Sequence, residues 1–128
     1  MQKRKQFTAI SALILALVCV LSLLPVTAYA VGGSTGDLKW KLNGSTLEIK
    51  GSGAMPNYID ANMAPWYNMA DSVKTVVIKS GVQTIGDLAF YGCVNLTGIS
   101  VPDSIVSIGN RSFKGCASLS RITLPAGV

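Results

Sequence analysis

Apolar positions along the chain fall into three patterns, and each predicts a different element. From Phe7 to Leu24 they run almost unbroken, behind Lys3, Arg4 and Lys5 and ahead of Pro25 and Ala28-Tyr29-Ala30. A positive start, an apolar stretch, a helix-breaking proline and a small-x-small end predict a secretory signal over residues 1–30. From Asp37 to Gly51 apolar and polar residues alternate. Leu38, Trp40 and Leu42 are separated by Lys39 and Lys41, and Leu47 and Ile49 by Glu48. That period of two, broken by Asn43-Gly44-Ser45, predicts a β-hairpin with one face buried. Between them, Val31-Gly-Gly-Ser-Thr-Gly36 lacks apolar load and is expected to be a flexible lead-in.

The third pattern is a repeat. Ile85-Gly86 recurs as Ile108-Gly109, Phe90 as Phe113, and Gly92-Cys93 as Gly115-Cys116, always 23 residues on. The same offset joins Val73, Leu96 and Leu119; Val76, Ile99 and Ile122; Ile78, Val101 and Leu124; and Val82, Ile105 and Val128. Units this short cannot bury their own apolar face, so they must stack and share a core. The units are 73–95, 96–118 and a partial 119–128. Within each, a strand (Val76-Val77-Ile78, Ile99-Ser100-Val101, Ile122-Thr123-Leu124) points its outer two residues inward. Pro102 and Pro125 end it. A second extended piece runs Val82 to Ile85 and Ile105 to Ile108. Gly86 and Gly109 are expected to permit a sharp turn. Asp87 and Asn110 are expected to cap a short helical turn that carries Phe90 or Phe113 into the core, closed by Gly92 or Gly115.

These residues resemble a known family. Leu96, Ile99, Val101, Pro102, Ile105, Ile108, Gly109, Phe113, Gly115 and Cys116 follow the pattern of the BspA-type leucine-rich repeats of bacterial surface proteins. Trp40, Leu47-Glu48-Ile49, Gly51-Ser52-Gly53-Ala54-Met55 and Pro65-Trp66-Tyr67 resemble the segment that often precedes such arrays. The resemblance implies a leucine-rich-repeat solenoid, of α/β type with short parallel strands and short helical turns, capped at residues 37–72 by the β-hairpin. It is expected to stop after about two and a half coils.

Composition narrows the chemistry. Of 11 basic residues three precede Gln6, leaving eight against six acids, a net +2 beyond the signal, so the charge gives little support to nucleic-acid binding, and none is expected. Histidine is absent, which removes histidine triads and histidine metal sites. The acids Asp37, Glu48, Asp60, Asp71, Asp87 and Asp103 show no catalytic spacing. Asp60 and Asp71 supply too few ligands for calcium. No catalytic, cofactor or metal residue is assigned, and no enzyme is expected. Cys93 and Cys116 sit at equivalent positions, where stacking permits either a disulfide or, as the preferred reading, two buried thiols. Trp40, Tyr58, Trp66 and Tyr67 read as packing over the end of the core rather than as a sugar platform, and Gly51-Ser52-Gly53 as a turn rather than an anion nest. Asn43, Asn95 and Asn110 head glycosylation sequons. An uncleaved signal would serve as an anchor, the sole membrane contact expected, and Cys19 lacks the small preceding residue of a lipoprotein site.

A stacked array exposes one repetitive surface, the outward residues of its strands. Thr75, Val77, Lys79, Gly98, Ser100, Pro102, Arg121, Thr123 and Pro125 are therefore the candidate partner-binding face. Small and mostly polar, they suit an extracellular protein or a cell-surface polymer better than a small molecule. The expected function is a secreted or cell-surface adhesion and protein-binding module. The alternatives are a targeting piece of a larger extracellular protein or hydrolase, or a truncated product with no function of its own.

Overall fold

The computed structural model describes residues 30–128, so the expected signal segment and Cys19 lie outside the described residues. Eight strands follow in order: β1 Ala30–Thr35, β2 Leu38–Asn43, β3 Thr46–Gly51, β4 Gly53–Ala54, β5 Thr75–Ile78, β6 Val82–Ile85, β7 Gly98–Ser100 and β8 Ser107–Ile108. They build a five-stranded sheet of order β1-β2-β3-β5-β7 and a second sheet of order β4-β6-β8. No helix among the described residues is long and apolar enough to cross a membrane.

The two parallel ladders are where the period acts. β5 pairs with β7 as Thr75↔Gly98, Val76↔Ile99 and Val77↔Ser100, and β6 with β8 as Thr84↔Ser107 and Ile85↔Ile108. Each match is a shift of one repeat, so like side chains lie above like. Phe90 and Phe113 stack with ring centroids 5.5 Å apart, and Trp66 extends the column with its centroid 6.0 Å from Phe90. Trp40 and Tyr58 meet Trp66 edge-on at 5.8 Å each, and the Trp66 indole N–H donates to the Ala89 carbonyl at 2.7 Å. Edge and stacked contacts of this kind add about 0.5–1.5 kcal/mol each beyond area burial.

The winding begins earlier than the 23-residue pattern. β3 pairs in parallel with β5 (Leu47↔Val76, Ile49↔Ile78), and β4 with β6. The β2–β3 hairpin thereby feeds straight into the repeat ladder.

Several expectations are corrected. Residues 31–36 are not a loose lead-in, since β1 pairs with β2 over six residues from Ala30↔Asn43 to Thr35↔Leu38. Its glycines serve close approach: a Cβ on Gly32 would lie 2.5 Å from the Trp40 carbonyl oxygen, and one on Gly33 3.3 Å from the Trp40 indole nitrogen. The turns carrying Phe90 and Phe113 are not helical, and the single helix described is a 3-10 helix at Tyr67–Ser72. In the turn, the amides of Leu88, Phe90 and Gly92 donate to the carbonyls of Asn110, Ser112 and Lys114 in the next unit. The amides between them, of Ala89, Tyr91 and Cys93, donate three residues back within the turn, so bonds to the next unit alternate with turn bonds where a helix would make only its own. Ile122-Thr123-Leu124, expected as a strand, joins no ladder, and Thr123 and Leu124 are exposed.

Gly86 and Gly109 are glycines for a different reason from the one expected. Neither has a positive φ, whereas Gly92 and Gly115 do, at 76° and 82°. A Cβ on Gly86 would run into the Pro56 carbonyl, and one on Gly109 into the Asp87 backbone. Asp87 caps nothing within its own turn. Its Oδ1 accepts the Asn110 amide at 2.7 Å, and its own amide donates to Asn57 Oδ1 at 2.9 Å.

Candidate functional site

The outward residues of the large sheet form a continuous surface because each strand alternates. In β2 the buried set is Leu38, Trp40 and Leu42, which turns Lys39, Lys41 and Asn43 out. In β3 Leu47 and Ile49 are buried and Thr46 and Lys50 face out, with Glu48 half-buried between them. In β5 Val76 and Ile78 go inward, leaving Thr75 and Val77 on the outer side.

Register then sets which side chains meet. Thr46, Thr75 and Gly98 share one level of the surface, and Lys41, Glu48, Val77 and Ser100 the next. Lys39 lies directly across from Lys50. Lys79 follows Ile78, the partner of Ile49, and its amide donates to the Ile49 carbonyl at 2.8 Å, which puts Lys79 one strand beyond Lys50. Three adjacent strands thus place a lysine at the same level, about 4.8 Å apart. A groove of about 400 Å³ runs over β1, β2 and β3, rimmed by Lys39, Lys41, Glu48 and Lys50 and floored by Gly32 and Trp40.

Of the predicted face residues, the structure brings together Thr75, Val77, Lys79, Gly98 and Ser100. Arg121 and Thr123 are exposed but lie past the ladder, and Pro102 and Pro125 are half-buried. Lys39, Lys41, Glu48 and Lys50 are the part of the surface that the 23-residue period did not reveal. The signal was present in the hairpin's alternation; what it lacked was the β3–β5 pairing, whose offset of 29 (Thr46 to Thr75) falls outside the repeat.

Charge is segregated accordingly. Among the strands of this sheet Glu48 is the sole carboxylate, against Lys39, Lys41, Lys50 and, at the end of β5, Lys79. Elsewhere Lys74, Arg111, Lys114 and Arg121 face five aspartates. The modest net charge therefore conceals a basic sheet face.

The other candidates resolve into packing. Trp40, Tyr58 and Trp66 are buried, which takes three of the four aromatics into the core; Tyr67 is exposed, its ring centroid 6.4 Å from that of the half-buried Tyr91. The Tyr58 hydroxyl and Thr35 Oγ1 are 2.7 Å apart; burial pushes the phenol above its ordinary range, and that hydrogen bond opposes the shift. Cys93 and Cys116 are buried free thiols, and the Cys116 thiol donates to the Phe90 carbonyl at 3.1 Å. No group of three metal-ligating side chains comes together among the described residues.

Residues 64–128 match the family model described as BspA type leucine rich repeat region (6 copies). Among solved structures, a leucine-rich repeat protein from Eubacterium ventriosum is 34% identical with a TM-score of 0.66, over 74% of this chain and 26% of that one. A leucine-rich repeat protein from T. pallidum is 27% identical at TM-score 0.47, over 74% and 50% of the two chains. A leucine-rich cell surface protein from Faecalibacterium prausnitzii is 22% identical at 0.40, over 73% and 30%. The chain spans 26% to 50% of the length of these three proteins. No curated protein matches it.

Proposed function

The chain belongs to the BspA-type leucine-rich repeat family, and from that membership we propose that it is a secreted or cell-surface protein-binding module that acts in adhesion. The leucine-rich-repeat fold is in general a non-catalytic scaffold for binding proteins. The observation that carries the reading is the register of the outer face. Thr75 over Gly98 and Val77 over Ser100 make a repeating surface of small residues, which suits an extended protein surface. This N-terminal sheet takes in Thr75, Val77, Lys79, Gly98 and Ser100, with Arg121 and Thr123 flanking it. The hairpin of β2 and β3 acts as the cap of the solenoid, closing the strand edge that the first unit would otherwise leave bare. The greater length of the similar structures supports a second reading, in which these coils are the binding part of a longer extracellular protein.

The test is site-specific photo-crosslinking in culture. A photoreactive residue at Thr75 or Ser100 is expected to form an adduct with another protein, and one at Val106, exposed but outside the sheet, is not. Charge reversal at Lys79 and Arg121 should lower the adduct yield several-fold, whereas Asn110→Ser should leave it unchanged. Equal adducts at all positions, or none on the strand face, would overturn the proposal.

A further inference from the structure

We propose that the free edge of β1 is a strand-addition site for an acidic, extended polypeptide whose alternate carboxylates meet Lys39 and Lys41. The site is distinct from the face formed by β5 and β7, and it is tested separately.

Among the described residues the edge has no strand laid against it. β1 ends the sheet with β2 as its one neighbour, and Ala30 to Ser34 are exposed. Along its outer side the N–H and C=O groups have no strand partner among the described residues. Edges of this kind are normally blunted by charge, proline, a bulge or shortness. The opposite edge has two of these, since β7 is three residues long and Pro102 follows close behind. β1 has none: six residues, no charge, no proline and an unshifted register.

The side chains around this edge choose its occupant. On the outer face β1 presents only Ala30, Gly32 and Ser34, so the long side chains across from them can lie over it. Lys41 is opposite Gly32 and Lys39 opposite Ser34. Lys39 does reach over: its ammonium donates to Ser34 Oγ at 2.8 Å. A strand added beside β1 would carry every second side chain into the field of these two cations. Its remaining side chains would fall on the opposite face beside Val31, which is 46% exposed. An alternation of acidic and apolar residues satisfies both faces. A second copy of this chain pairing edge to edge would bring two more lysines against Lys39 and Lys41, a like-charge contact that disfavours it. An acidic glycan meets the lysines but has no main-chain ladder to offer the open N–H and C=O groups.

The experiment measures fluorescence anisotropy of a labelled eight-residue peptide alternating glutamate and valine, titrated with the purified chain. Micromolar binding is expected, with a loss of about tenfold or more in the Lys39→Glu, Lys41→Glu double variant and little change in Lys79→Glu. Two further peptides keep the charge but are N-methylated at alternate residues, one in each register. The register that removes the N–H groups facing β1 should also lose about tenfold or more, and this arm needs no change to the protein. Failure of the parent peptide to bind, equal binding of both methylated peptides, equal binding of a lysine–valine peptide, or equal or tighter binding of polygalacturonate would each overturn the proposal.

Discussion

Cys93 and Cys116 occupy the same place in successive units, and neither is bonded to the other. Burial raises the Cys93 thiol from its ordinary 9.0 to about 12, and the neighbouring Cys116 pushes in the same direction. Cys116 is raised too, chiefly by burial, with a hydrogen bond from the Cys93 backbone holding it back. The sign of the linkage follows from which state keeps its proton. Below pH 9 both folded and unfolded chains hold neutral thiols, so Cys93 contributes no pH dependence there. Above it the unfolded thiol ionises while the folded one does not, and the folded chain loses relative stability as pH rises from about 9 towards about 12. Chemical denaturation across that range should show a steeper decline for the native sequence than for Cys93→Ala, even though the variant starts from a lower stability because of its lost packing. Parallel declines would mean that the thiol ionises freely in the fold. Native-state alkylation at pH 8 should likewise be slow at Cys93, because the thiolate is the reacting form.

The turn from Gly86 to Cys93 has a feature that recurs one repeat later. Leu88 and Arg111 both take a left-handed backbone, with φ of 58° and 55°. A side chain there costs about 1–2 kcal/mol. Leu88 has compensation, because it is buried in the core; Arg111 is exposed and has none of that kind. Arg111→Gly should therefore raise stability by about 0.5–1 kcal/mol in urea denaturation, against the usual trend for glycine. Leu88→Gly should lower it by about 2 kcal/mol or more through lost burial. A destabilised Arg111→Gly would show that the left-handed conformation is not what limits this turn. The same turn shows where residue patterns inform and where they mislead. The apolar columns could be read directly, since a unit too short to have its own core must set Phe90 over Phe113. The helical turn was misread because Asp87 and Asn110 have the chemistry of a helix cap, and in Asp87 the same oxygen instead accepts an amide from the next unit. Gly32 and Gly33 read as looseness for a similar reason: the absence of a side chain permits flexibility in isolation and close approach beside Trp40. The basic face was half legible, with Lys79 visible from the period and Lys39, Lys41 and Lys50 dependent on a pairing of strands that no repeat announces.

Across the whole molecule, four columns lose burial from the first unit to the second, while Leu96 and Ile105 stay as buried as Val73 and Val82. Val76, Ile78, Ile85 and Phe90 are at most 2% exposed, while their equivalents Ile99, Val101, Ile108 and Phe113 are only partly buried, packed against the core from one side. Leu124, in the third unit, is 43% exposed. In a stack where each unit touches only its neighbours, stability is a sum of unit terms and interface terms, so a half-buried layer marks an interface term that further coil would supply. Val128 is equivalent to Ile105, which means that a second copy of residues 106–118 joined after Val128 continues the register without a gap. It would complete the third unit and set a third phenylalanine over the open face of Phe113. Burying that ring and the flanking Ile108 is worth on the order of 1–2 kcal/mol, which for a domain of this size raises the melting temperature by about 4–8 °C per kcal/mol. A glycine–serine tail of equal length controls for mere extension and should leave the melting temperature where it is. If the two extended chains melted together, the units would not be coupling through their aromatic and aliphatic columns, and the stability of the fold would have to come from the hairpin and the Trp66 cluster alone.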